Sequence, residues 1–175
     1  MASVDQPAEL SLDELNALPA ADVDRALARC CAAPAWVSSM RATRPYASVD
    51  AVLAQSDAAV AGLTLTDLGA ALDGHPRIGD RSPRAGWSRQ EQAGVSTADA
   101  ELLQALAEGN AAYEERFGHL YLVCATGRSG AELLAFLRER LANEPETEWR
   151  IVAAELAKIN RIRLRKLLGA IGEQA

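Results

Sequence analysis

Residues 146–170 read ETEWRIVAAELAKINRIRLRKLLGA, and inside this stretch Val152, Leu156, Ile159, Arg163 and Leu167 follow one another at steps of three and four. That is the period of a helix with one face turned to a core. Asn143 and Pro145 stand where a helix commonly opens, so a long last helix is predicted over about 146–170. Four of the five stripe residues are apolar and the fifth is an arginine. A guanidinium on a core face is costly to bury unless it is paired or reaches a cavity. Arg163 is therefore half of an internal ion pair, a side chain that snorkels out at the end of the stripe, or a group that serves a ligand. Arg161 and Arg165 point elsewhere and read as solvated.

Upstream, the same period recurs. Leu102, Leu103, Leu106, Asn110, Tyr113 and Phe117 mark a long helix over about 97–117. Ser129 caps a helix over about 130–142, Ser48 one that runs to about 60, and Ser11 with Glu14 has capping-box spacing before a short helix. Pro19 separates that helix from an Ala/Leu-rich segment at about 22–31, and a further short helix follows Pro34. Thr66-Asp67 starts another, which Gly74 ends. Residues 118–127, GHLYLVCATG, read instead as a buried extended connector.

Composition agrees with this pattern. The 175 residues are 49% apolar but only 5% aromatic, dominated by Ala and Leu, which favours packed helices over sheet. The expectation is an all-α, single compact multi-helix domain spanning residues 1–175. A net charge of −6 disfavours a phosphate-backbone binder, so nucleic acid is not an expected partner. No apolar run approaches the length of a membrane span, and the opening MASVDQPAEL lacks the basic and apolar regions of a secretion signal. The ending GEQA is not a peroxisomal tripeptide, and a cytoplasmic protein is expected. Cys30, Cys31 and Cys124 lack C-x-x-C spacing and read as small buried hydrophobes, with neither a disulfide framework nor a zinc site implied.

The chemistry concentrates in 74–88, GHPRIGDRSPRAGWS, where glycine and proline make regular structure improbable. The chain has two histidines, so a proton-transfer group titrating near neutrality is His75 or His119. Pro76 forces His75 away from helical dihedrals and Gly74 ends the preceding helix, so the imidazole sits on a rigid corner, either as a catalytic group or as an exposed cap. His119, at the end of the long helix, reads either as a structural residue or, less favoured, as part of the pocket lining. Glu91, in S-R-Q-E-Q, either exchanges capping hydrogen bonds with Ser88 or faces a pocket shared with His75. The A-T-G-R-S-G turn at 125–130 opens a helix with small residues that could offer backbone amides to an anion, although it is not a P-loop.

Five ordered motifs then come together: H-P-R-I-G at 75–79, S-R-Q-E-Q-A-G at 88–94, Y-E-E-R-F-G-H at 113–119, L-V-C-A-T-G-R-S at 122–129 and K-I-x-x-x-R-L at 158–164. Together they resemble the 2-oxo-4-hydroxy-4-carboxy-5-ureidoimidazoline (OHCU) decarboxylase family. The resemblance covers almost the whole chain. It implies an all-helical homodimer with no metal or organic cofactor, which decarboxylates a small ureidoimidazoline to (S)-allantoin in urate degradation. It also implies site residues: His75 as proton donor, with Glu91 and Arg163 beside it. Substrate contacts are implied at Pro76, at Ser88, Arg89, Gln90 and Gln92, and at Leu122, Val123, Cys124, Ala125 and Thr126, partly through backbone groups. The fused transthyretin-like hydrolase of some relatives is not expected here.

The resemblance also implies how the reaction proceeds. The carboxyl-bearing carbon of the substrate is conjugated to an imine, so the substrate is its own electron sink and the protein orients it, excludes water and protonates the product. This reading needs His75, Glu91 and Arg163 around one cleft. Two alternatives remain open at this point: a non-catalytic helical module that binds a partner protein, and a lyase or hydrolase for a related small ureide acid.

Overall fold

The computed structural model describes residues 9–79, 93 and 100–170. Among these it is all-helical, without strand, and carries eight helices. They are α1 (Leu12–Ala17), α2 (Ala20–Ala28), α3 (Pro34–Ala42), α4 (Val49–Ala61), α5 (Leu65–Leu72), α6 (Ala100–Phe117), α7 (Gly130–Arg140) and α8 (Pro145–Leu167). The chain forms two compact units, one made by the segments up to Asp67 and from Ala157 onward, the other by Leu68–Leu156.

In the first unit, local chemistry sets the helix ends. The Ser11 hydroxyl accepts from the Glu14 amide at 3.2 Å while the Glu14 carboxylate accepts from the Ser11 amide at 2.7 Å, the expected capping box of α1. Arg44 closes the other end of α1 by donating to the carbonyls of Leu15 and Leu18 at 2.7 and 2.9 Å. Pro34 occupies the first turn of α3, where its missing N–H costs no helical bond, and Ser48 caps α4 through the Ala51 amide. Trp36, Met40, Leu27 and Leu53 are fully buried, and the Trp36 indole donates to the Ser56 carbonyl at 3.3 Å.

Four boundaries differ from expectation, two of them at α2. Helix α5 starts one residue earlier than Thr66, because Thr64 is the cap: its hydroxyl accepts from the Asp67 amide and Asp67 answers by accepting from the Thr64 amide. Helix α2 stops at Ala28, short of 31, and begins directly after Pro19. Helix α8 ends at Leu167 rather than about 170, where the Ala170 amide folds back to the Arg165 carbonyl at 2.9 Å.

The second unit is built on α6 and α7. Leu106, Tyr113, Leu133 and Leu137 are buried in one core cluster with Ile78, Tyr121, Val123 and Ala125, and Leu102, Leu103 and Phe117 pack against it. The predicted apolar face of α6 is therefore the face that is buried. Gly118 ends α6 with φ of 74°, a left-handed turn that returns its amide to the Glu114 carbonyl at 2.8 Å. Residues 120–125 then run outside any helix, and all but Leu120 are buried.

Candidate functional site

His75 lies just past the end of α5, half-buried. Its amide donates to the Leu72 carbonyl at 2.9 Å, and its ring Nδ1 lies 2.9 Å from the Ala71 carbonyl. A carbonyl only accepts, so Nδ1 carries the hydrogen and Nε2 is the nitrogen that gains or loses a proton. The corner predicted from Gly74 and Pro76 thus fixes both the orientation of the imidazole and its tautomer.

The residues after His75 are fastened to α6. Arg77 meets Glu114 with two parallel bonds, the Ile78 carbonyl accepts from Asn110 at 3.0 Å, and the Ile78 side chain enters the core cluster. Gly79 adopts φ of 85°, a conformation that L side chains rarely adopt, and a Cβ there would come into ordinary contact with Leu103 and Leu106. Val123 and Ala125 belong to the same core cluster as Ile78, so the H-P-R-I-G motif and the 122–126 connector are assembled on one core.

The connector is buried through Leu122, Val123, Cys124 and Ala125, whereas Thr126 is exposed. Two of its backbone groups are engaged by charged side chains. The Leu122 carbonyl accepts from Arg140 Nη1 at 2.7 Å, and the Cys124 amide donates to Glu155 Oε2 at 2.8 Å. The turn that follows is likewise occupied from within. Ser129 and Glu132 form a capping box at the start of α7, and Arg128 lies over the Phe136 ring at 4.3 Å. The bonds from Ser129 hold the Glu132 carboxyl below its ordinary value.

Arg163 is buried in the first unit, on the same face of α8 as Val152, Leu156, Ile159 and Leu167, all of them buried. The stripe read from sequence is therefore the core face, and Arg163 Nη1 donates to the Cys30 carbonyl at 3.3 Å. Cys30, Cys31 and Cys124 are buried, as expected, and burial pushes the Cys31 thiol up despite the nearby Arg163 charge. Ser88, Arg89, Gln90, Glu91 and Gln92 lie outside the described residues. The site residues that can be placed are thus His75, Pro76 and the connector in one unit and Arg163 in the other.

Sequence reasoning missed a buried polar group in the second unit. Glu148 is fully buried and accepts from Arg140 Nε at 2.8 Å, from Asn143 at 2.9 Å and from the Tyr113 hydroxyl. Arg140 also lies over the Tyr121 ring at 4.7 Å. Burial raises the Glu148 carboxyl, but its bonds from Arg140, Tyr113 and Asn143 outweigh burial and hold it below its ordinary value. The signal was available. Arg140 falls one helical step after Leu133 and Leu137, and Glu148 and Glu155 flank Val152 on α8, the pattern that singled out Arg163.

The model of the OHCU decarboxylase family matches residues 16–165. The chain belongs to the OHCU decarboxylase family. Among curated family relatives, the uric acid degradation bifunctional protein TTL of Arabidopsis thaliana is 34% identical over 145 residues, covering 79% of this chain and 45% of that protein. The 2-oxo-4-hydroxy-4-carboxy-5-ureidoimidazoline decarboxylase of Amia calva is 34% identical over 100 residues, covering 54% of this chain and 57% of that protein. The chain thus spans about half the length of these curated relatives. A crystal structure of OHCU decarboxylase in the presence of (S)-allantoin superposes with a TM-score of 0.74 at 30% identity, covering 83% of this chain and 98% of that one. Among the described residues no helix is long and apolar enough to cross a membrane.

Proposed function

We propose that this chain decarboxylates OHCU to (S)-allantoin in urate degradation, and that His75 delivers the proton. The observation that carries the reading is the His75 imidazole. In a member of this family, it is held by the Ala71 carbonyl at the end of α5 with Nε2 as its titrating nitrogen. In the proposed reaction the bond to the carboxylate breaks, CO₂ leaves, and the electron pair flows into the conjugated imine of the substrate. The protein orients the substrate, sheds water and stabilises the developing anion. His75 then protonates one face, which sets the S configuration.

Arg163 and connector amides bind the ring oxygens, and Glu91 binds the ureido N–H groups and holds His75. Pro76, Ser88 to Gln92 and Leu122 to Thr126 line the substrate. The chain acts as a single-domain protein without metal or organic cofactor, as a cytoplasmic homodimer. Support for these assignments is the match of the motifs residue by residue, the buried stripe that carries Arg163, and the shared core beneath the His75 loop and the connector.

The test is incubation of the purified chain with freshly generated OHCU, following CO₂ release and the circular dichroism of the product. The expected result is turnover above the spontaneous rate with S product only. Racemic product at the background rate would overturn the reading.

A further inference from the structure

The side chains of Tyr121, Val123 and Ala125 enter one core cluster, which is the two-residue alternation of extended backbone. In such a chain the N–H and C=O of residues i and i+2 face one edge and those of i+1 the other. Arg140, on the Leu122 carbonyl, and Glu155, on the Cys124 amide, hold the same edge of the connector. The Val123 amide and carbonyl turn to the opposite edge, buried and without a partner among the described residues. Backbone groups in that condition are costly to a fold unless something else binds them.

The holders are themselves well fixed. Glu148 and Glu155 stand seven residues apart on one face of α8, and both are buried. Glu155 grips the connector directly, while Glu148 grips it through Arg140. Both grips are hydrogen bonds to a charged group, the stronger kind. We propose that Glu155 and Arg140 are positioning residues, which hold one edge of the connector so that the Val123 peptide groups are presented to the ureide substrate. This rests on the proposed function, since it takes the connector to touch the substrate.

The experiment compares wild type with Glu155→Gln, Glu155→Leu and Glu155→Asp in steady-state OHCU decarboxylation, thermal unfolding and hydrogen exchange of the Cys124 amide. Glu155→Gln keeps an acceptor and should rescue KM to within about twofold. Glu155→Leu removes the acceptor, and Glu155→Asp withdraws it by one methylene while keeping the charge. Either should raise KM about tenfold with little change in kcat, and speed exchange at Cys124. Glu155→Asp keeps the test decisive where the leucine variant does not fold. A folded Leu or Asp variant with wild-type KM overturns the inference, whereas a wild type that does not turn over OHCU overturns the proposed function instead.

Discussion

Arg77 and Glu114 form a two-pronged ion pair, Nε to Oε1 at 2.6 Å and Nη2 to Oε2 at 2.7 Å, which fastens the loop carrying His75 to α6. The Arg77 side chain is 58% exposed, so the pair contributes little to stability, about 1 kcal/mol at most. Its value lies in geometry, because small displacements of a reacting group cost rate steeply. Arg77→Ala should leave the unfolding temperature nearly unchanged and lower kcat by about tenfold. Arg77→Lys, which lacks the planar fork, should fall between the two. An unaltered kcat in the alanine variant would remove the pair from any part in placing His75.

For His75 itself the expected loss is larger. Positioned proton transfer contributes about 10²- to 10⁴-fold, so His75→Asn should lose turnover on that scale. The ring is only half-buried, so the fold should survive, as circular dichroism would show. A variant with wild-type kcat would return His75 to the role of a helix cap.

The helical class and most helix ends were legible in the sequence because capping boxes and 3.6-residue stripes are local. Ser11, Ser48 and Ser129 all cap where their spacing predicts. The start of α5 was misplaced because Thr64 and Thr66 are both plausible caps, and only the Asp67 carboxylate decides between them. Arg163 was legible since a charge on an apolar stripe stands out. Arg140 and Glu148 stand out on their stripes in the same way, but their assembly into one group was not legible, because Tyr113 lies 35 residues from Glu148 and Arg140 and Asn143 reach it only across the turn between α7 and α8. The same holds for Glu155 and the Cys124 amide, 31 residues apart.

That hidden group makes a strong prediction about stability. Removing one partner of a buried ion pair leaves the other charge uncompensated, at a cost of about 3–5 kcal/mol. Glu148→Ala should therefore lose that much in urea unfolding, since Arg140 is left buried against Tyr113 and Tyr121. Arg140→Met combined with Glu148→Leu should lose clearly less than the sum of the single changes, as the two sites are coupled. Additive losses would show that the pair does not act as a unit.

His119 yields a prediction in pH. Its ring stacks on Trp149 with centroids 4.0 Å apart and meets the Tyr113 ring edge-on. Nδ1 lies 3.1 Å from the Leu120 carbonyl, while Nε2 is buried without a hydrogen-bond partner. A proton on Nε2 would therefore find no acceptor, and burial holds the His119 pKa below its ordinary 6.5, outweighing the pull of Glu148. A folded-state pKa below the unfolded one means that the stabilisation is complete above about 6.5 and is lost as pH falls through the folded value. The unfolding temperature of the wild type should fall from pH 7 to pH 5 relative to His119→Phe, which keeps the aromatic stack and has no proton to take up. Parallel curves for the two proteins across that range would show that His119 titrates alike in the folded and unfolded chain, and that burial does not lower its pKa.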